Sequence, residues 1–354
     1  MTAIKPAILR LKEYHVPLHP GLIKLNQNES PWDVPDKIKT AVCRRLVRIG
    51  WNRYPENGAA ALREKLALYT GHSPDGILAG NGSNELIQTI ISACCRKGDR
   101  ILTVTPGFSV YRHTATTQNI RTMEVPLKKD FSFDLQKIVE ASRLCRATFI
   151  TSPNNPTGTW ITKEDIAWLA AASPSLIVAD EAYFEFSGRT AISLLSSFQN
   201  MIILRTFSKA LSLAGLRLGY LLGRPDLVRE LRKTILPFSV GAAQQAAGEA
   251  LLESSDLIKA RAKAIIQERE NLFQALTSLR GITPVPSAAN FILFEANRIP
   301  GKILFRKLIN RGVLTRHFES PALKNMLRVT VGRRAENRVF LKSLESILLE
   351  EDKR

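Results

Sequence analysis

Apolar and polar positions along this chain alternate between two kinds of text. Short runs that are almost wholly apolar occur at Arg100–Thr105, Thr148–Thr151, Leu176–Ala179, Met201–Leu204 and Leu218–Leu222. Each has the length and patterning of a strand covered on both faces. Between them lies text of helical period, as at Ala60–Tyr69, where Leu62, Leu66 and Tyr69 share one face. Thr162, followed by Lys163, Glu164 and Asp165, reads as a capping box that opens a further helix. Strand and helix in alternation predict an α/β fold with a mainly parallel sheet.

After Pro237 the pattern changes. A long helical stretch is expected from Val240 to Leu279, with a break near 253–256. Strands are expected at Phe291–Phe294 and Leu327–Val331, and helices at Gly301–Asn310 and Ala335–Leu349. The organisation that follows is an N-terminal arm over 1–34, a large unit over 35–237 and a smaller α+β unit over 238–354. The arm, rich in proline and poor in periodicity, is expected to join the small unit or a partner subunit.

Composition narrows the class. A chain of 354 residues with 45% apolar and 23% charged positions suits a globular fold with a sizeable core, and excludes a disordered or collagen-like one. No uncharged stretch reaches the roughly 18 apolar residues of a membrane span. Lys5, Pro6 and Arg10 interrupt any leader-like core, so no signal segment is expected either. Cys43, Cys94, Cys95 and Cys145 form no C-x-x-C pair, and the five histidines show no metal spacing. The expectation is a cytoplasmic protein with reduced thiols and no metal. A net charge of +18 suggests nucleic acid, acidic lipid or small anions as partners, and charge alone does not choose between these and a plain basic surface. The basic residues are dispersed and do not interleave with aromatics, which argues against nucleic acid.

Three stretches end strand text with polar residues that a plain connection does not need. In Thr206-Phe207-Ser208-Lys209, two hydroxyls precede a lysine, and Arg217 follows it. Hydroxyls and a bidentate guanidinium make a phosphate site, and an amine beside one is what a pyridoxal phosphate enzyme requires. In Val178-Ala179-Asp180-Glu181-Ala182-Tyr183, an aspartate closes an apolar run. Such a residue is commonly a turn former, but in a pyridoxal enzyme it pairs with the ring nitrogen. The third stretch, Ser152 to Gly158 with Asn154-Asn155-Pro156 at its centre, is a turn under any reading.

The order Asn155-Pro-Thr-Gly, Asp180-x-Ala-Tyr183 and Thr206-x-Ser-Lys209 with Arg217 resembles fold-type I pyridoxal-phosphate aminotransferases, the aspartate aminotransferase-like family. The lysine segment resembles the histidinol-phosphate branch. So do Lys24–Pro31, Asn52–Pro55, Gly80–Ile87 and Leu327–Gly332. The resemblance spans about Tyr14 to Gly332. It implies a large domain with a mainly parallel seven-stranded sheet and a smaller α+β domain. It implies pyridoxal 5'-phosphate as cofactor, with Lys209 as the Schiff-base lysine and Asp180 on the ring nitrogen. Tyr183 and Asn155 would hold the phenolic oxygen, and Phe108 would stack on the ring. Ser83, Asn84, Thr206, Ser208 and Arg217 would bind the phosphate. Tyr54 would reach that phosphate from a neighbouring subunit, so a homodimer with shared sites is expected. Arg328 would clamp a substrate carboxylate, Arg316 the substrate phosphate, and Tyr14 would close the pocket.

The implied reaction is transamination between L-histidinol phosphate and 2-oxoglutarate in histidine biosynthesis. Two positions depart from the branch: Phe108 replaces a usual tyrosine and Asn84 a common aspartate. The first keeps the stacking and removes a hydroxyl; the second makes the site less negative. The stretch Thr105-Pro106-Gly107-Phe108 also resembles threonine-phosphate decarboxylases of cobalamin synthesis. That activity and aromatic amino-acid transamination are the alternatives. A pyridoxal-binding regulator is a third class, but it would not require Asp180 and Lys209 together.

Overall fold

The computed structural model describes residues 3–11, 13 and 20–352. Seven strands form the main sheet: β1 (Ile77–Gly80), β2 (Arg100–Thr105), β3 (Arg121–Pro126), β4 (Ala147–Thr151), β5 (Leu176–Asp180), β6 (Met201–Thr206) and β7 (Gly219–Gly223). Their spatial order is β1-β7-β6-β5-β4-β2-β3. β7 runs antiparallel to β1 and β6, whereas the ladders joining β6, β5, β4, β2 and β3 are parallel. The mainly parallel sheet expected from the apolar runs is present.

Successive side chains of a strand face opposite sides, so an all-apolar run needs cover on both. Ile101, Phe149, Val178, Ile202 and Leu204 pack with Leu86, Ile87, Ile90 and Tyr111 on one face. Leu102, Ile150, Ile177, Ala179 and Ile203 pack with Leu66 and Leu169 on the other. Each fully buried aliphatic side chain contributes about 1.5–3 kcal/mol. Helix α1 (Gly82–Cys94) supplies cover for the first face, and α2 (Val110–Thr117) lies beside it.

A second sheet contains β8 (Ile282–Pro284), β9 (Phe291–Ala296), β10 (Arg316–His317) and β11 (Met326–Thr330), in the order β10-β11-β9-β8 and antiparallel throughout. The long helical stretch divides into Ala242–Leu252 and Ser255–Ser278, broken where expected. Helix Ala242–Leu252 packs on Asp36–Arg48 and Ala60–Thr70. Thr162 accepts the Asp165 backbone N–H at 3.1 Å, one half of the expected capping box. The short strand Ile23–Lys24 pairs in parallel with Val313–Leu314. From there Leu25 O accepts the Thr330 N–H and Asn28 N–H donates to Thr330 Oγ1, which fastens the segment after Lys24 to β11.

Beside the C-terminal ends of β5 and β6 lies a buried charged cluster. Arg205 donates through Nε and Nη2 to Glu181 Oε2 at 3.0 and 2.8 Å. Glu181 also accepts from Thr190 Oγ1 and the Ala191 N–H. Glu185 Oε1 lies 3.5 Å from the Tyr69 hydroxyl, while its Oε2 is buried without a hydrogen bond among the described residues. Two carboxylates thus share one guanidinium, with Tyr69 and Tyr220 as the other titratable neighbours. Burial above all pushes Glu185 up to about 8, against the pull of Arg205. A carboxyl raised on folding stabilises the fold when protonated, and that contribution is lost as pH rises from about 4.5 toward 8. Glu185→Gln should therefore flatten the pH dependence of denaturant midpoints between pH 6.5 and 8. Wild type should lose up to about 1.4 kcal/mol per pH unit more than the variant there. Parallel curves for the two proteins would show that Glu185 does not carry a buried proton.

Candidate active site

The parallel strands point their carboxyl ends at one edge of the sheet. The loops leaving that edge carry Pro106–Phe108, Ser152–Gly158, Glu181–Tyr183 and Phe207–Arg217. Open α/β sheets place their ligands in the crevice outside these strand ends.

Asp180, the last residue of β5, is 2% exposed. Its Oδ1 accepts the Ala182 N–H at 3.0 Å and its Oδ2 the Tyr111 hydroxyl at 2.6 Å. Burial raises it to about 6, against those two hydrogen bonds. Tyr183 follows on the adjoining turn. Its hydroxyl oxygen accepts Asn28 Nδ2 at 3.0 Å and Asn155 Nδ2 at 3.2 Å, which leaves its own proton to donate. Lys209 extends over the Tyr183 ring, with Nζ 5.9 Å from the centroid, and donates to Gln27 O at 3.0 Å. Burial first, and then the Arg328 charge, lowers its amine to about 7. Near neutral pH a large fraction of that amine is uncharged, the form that attacks a carbonyl or removes a proton.

A second group of residues surrounds the start of α1. Gly82, at φ +74°, lies so close to Arg217 that a Cβ there would sit 2.6 Å from Nη2. A Cβ on Gly219, the first residue of β7, would meet the Ser83 nitrogen at 2.4 Å. Only glycine permits this approach of guanidinium, strand and helix end. Arg217 Nη1 donates to Ser208 Oγ at 3.2 Å, and the Ser208 N–H donates to Thr206 Oγ1 at 3.1 Å. The amides of the first turn, Ser83 and Asn84 among them, have no intrahelical acceptor, and the helix dipole favours an anion there. The Asn84 side chain itself is exposed.

The small sheet adds two cations. The β10–β11 ladder sets Arg316 directly opposite Arg328. Arg328, 6% exposed, donates to Asn155 Oδ1 and Asn26 O, both at 2.6 Å, and lies over Phe291. Arg316 is half-buried and forms no side-chain hydrogen bond or ion pair among the described residues. Two like charges side by side prepare a place for an anion.

One chain of contacts thus joins Lys209, Tyr183, Asn155 and Arg328, and a second joins Thr206, Ser208 and Arg217 to the α1 end. Phe108 packs edge-on against Tyr111, which bonds Asp180. Tyr54 stands apart from these networks: it is 80% exposed and stacks on Phe238 at 4.5 Å. Tyr14 lies outside the described residues. Sequence reasoning missed Tyr111, Thr151 and the role of Asn28. The only signal for Tyr111 is its spacing of three from Phe108, which is common to any helix. Among the described residues no cluster of three or more His, Cys, Asp or Glu could hold a metal ion, and no helix is long and apolar enough to cross a membrane.

A half-neutral buried lysine, a buried carboxylate and an arginine set against a helix N-terminus lie at one edge of this sheet, in a fold-type I pyridoxal-phosphate aminotransferase fold. The chain belongs to the class I and II aminotransferase family, whose sequence profile matches residues 20–344. Over 346 residues it is 42% identical to histidinol-phosphate aminotransferase 1 of Carboxydothermus hydrogenoformans, covering 97% of this chain and 98% of that one. Its fold matches that of histidinol-phosphate aminotransferase from Sinorhizobium meliloti, solved in complex with pyridoxal-5'-phosphate. The TM-score is 0.88 at 24% identity, covering 99% and 98% of the two chains. The fold also matches L-threonine-O-3-phosphate decarboxylase from Porphyromonas gingivalis, at TM-score 0.81 and 22% identity over 92% of this chain and 99% of that one. Backbone shape alone therefore does not separate the two reactions.

Proposed function

We infer that the chain is a pyridoxal-phosphate-dependent aminotransferase acting on L-histidinol phosphate and 2-oxoglutarate in histidine biosynthesis. The observation that carries this is the pairing of Arg316 with Arg328 beside Lys209, Tyr183 and Asp180, in a chain 42% identical to a histidinol-phosphate aminotransferase. The residues fit the cofactor. Asp180 is a buried carboxylate with hydrogen bonds from Tyr111 and Ala182 and no cationic partner among the described residues, which suits a protonated ring nitrogen. The glycine-lined approach of Arg217 to the α1 end suits a phosphate.

Within this reading, Arg217, Ser208, Thr206 and the amides of Ser83 and Asn84 hold the phosphate. Tyr183, assisted by Asn155, would donate its free proton to the ring oxygen, and Phe108 would pack against the ring. When bound, the cofactor supplies an aldehyde carbon that takes up the amine and a ring that accepts an electron pair. Lys209 Nζ would take the proton from the substrate carbon that bears the amine and pass it to the former aldehyde carbon, so that the nitrogen stays with the cofactor and water frees the substrate as a ketone. Arg328 takes the carboxylate of glutamate or 2-oxoglutarate, and Arg316 the phosphate of the amine substrate. The large unit, 35–237, carries the cofactor residues; the arm, 1–34, and the small unit, 238–354, bring the anion clamps.

The test is direct: supply purified protein with histidinol phosphate plus 2-oxoglutarate, and separately with threonine phosphate. Glutamate should form in the first and no carbon dioxide in the second; the reverse would sink the substrate assignment in favour of the decarboxylase. Arg316→Lys keeps a charge but loses the planar fork. Preference for histidinol phosphate over histidinol should fall about 10- to 150-fold, the worth of one charge-assisted bond. An unchanged ratio of kcat/KM values would remove Arg316 from the phosphate site.

Val47, Trp51, Tyr54 and Leu236 are each more than two-thirds exposed, at 82%, 81%, 80% and 71%. In the proposed cytoplasmic homodimer these side chains are covered and Tyr54 reaches the partner's phosphate. Mixing Tyr54→Ala with Lys209→Ala subunits should then restore activity, because one site per heterodimer keeps both residues. No recovery after verified subunit exchange would place Tyr54 outside the site.

A further inference from the structure

Tyr111 is a fully buried tyrosine whose ring stacks on Phe149 at 4.8 Å and meets Phe108 edge-on. For packing alone a phenylalanine would serve, and burying a hydroxyl is costly unless its bonds are made. Both are made. The hydroxyl lies 2.6 Å from Asp180 Oδ2 and 2.7 Å from Thr151 Oγ1. Thr151 and Asp180 are register partners on β4 and β5, so the ladder itself sets their side chains next to each other on one face. The tyrosine has a single proton, and an ionised carboxylate has none to give. Tyr111 therefore donates to Asp180, and Thr151 must donate to Tyr111. Hydrogen bonds in such a chain polarise and strengthen one another.

We propose that Thr151 and Tyr111 form a two-step hydrogen-bond relay that positions the Asp180 carboxylate for the cofactor's ring nitrogen, Tyr111 being the positioning residue; this rests on the functional reading above. The relay opposes the burial that favours the neutral acid. The other charged or titratable groups around Asp180 are Tyr183 and Glu181, and the Glu181 charge is already committed to Arg205. Without the Tyr111 hydroxyl, the carboxylate keeps only the Ala182 amide, and its midpoint moves above about 6.

The experiment begins on protein without cofactor. Protein labelled with carboxyl-13C aspartate is titrated by infrared difference spectroscopy, with Asp180→Asn to assign the Asp180 band. Tyr111→Phe should raise the Asp180 midpoint by about one to two pH units. Thr151→Val should raise it less, and Thr151→Ser should restore it. In the loaded enzyme, the acid limb of the kcat profile should move upward in the same order, with KM for the amine unchanged. A wild-type midpoint in both Tyr111→Phe and Thr151→Val overturns the relay, whatever happens to the rate. A raised midpoint with an unmoved acid limb overturns its link to the reaction. If wild type transaminates no substrate, the functional reading fails, and the cofactor-free titration still decides whether the relay exists.

Discussion

Lys209→Ala is expected to lower turnover by at least about 10⁴-fold, the upper range for one acid–base group, because in the proposed reading the same amine would both attach the cofactor and move the proton. The expectation rests on geometry and charge together. Nζ sits over the Tyr183 ring beside the Asn155–Arg328 chain, and burial lowers it to about 7. Among the described residues no other lysine is hydrogen-bonded into this group. Single-turnover rates with histidinol phosphate measure the loss, and intact mass after borohydride treatment reports whether cofactor is retained covalently. An added small primary amine should restore part of the rate, since it supplies the missing base. Turnover within tenfold of wild type would remove Lys209 from the chemistry altogether.

Asp180→Asn should produce opposite effects on stability and rate. In the protein without cofactor, burial holds the carboxyl up at about 6. The folded state thus binds a proton more tightly than the unfolded chain does, and stability falls as pH rises from about 4 through 6. At pH 7 to 8 the full cost is present, so the isosteric amide should raise the melting temperature by a few degrees. Loaded enzyme should instead lose about 10²- to 10⁴-fold in the proton-abstraction step, with cofactor affinity far less affected. Stability and single-turnover measurements on the same preparations check both halves. If the variant melts lower without cofactor and reacts at the wild-type rate, Asp180 is an ordinary turn residue.

Much of this molecule was legible in its sequence, for reasons that also mark the limit. β2, β4, β5 and β6 are apolar on both faces because helices cover both, and that text has no other reading. β3 was missed because it lies at the sheet edge: Arg121 and Glu124 are spaced among apolar residues and only Val125 is buried. β1 was missed because four residues after a Pro-Asp-Gly turn carry too little pattern. The antiparallel direction of β7 depends on where the chain travels between Thr206 and Gly219, which periodicity does not encode. Asp180 and Lys209 were legible because each interrupts or ends strand text with a group that has a cost there. Tyr111 interrupts nothing. Its hydroxyl acquires meaning only from the β4–β5 register, and Asn28 only from a contact 155 residues away with Tyr183. The adjacency of Arg316 and Arg328 likewise exists only once β10 folds back on β11.

The arm's contacts at the site bear on how the enzyme waits between substrates. Two consecutive carbonyls, Asn26 O and Gln27 O, are the acceptors for Arg328 and Lys209. A carbonyl is a dipole without net charge. It orients the side chain it holds without bringing a negative charge into the site. Carboxylates in the same places would have formed ion pairs, and opening a buried one costs about 3–5 kcal/mol before any substrate anion could bind. Backbone oxygens impose no such toll, because an incoming carboxylate outcompetes them by its charge. The arm's backbone thus orients both side chains without adding a charge of its own to the site.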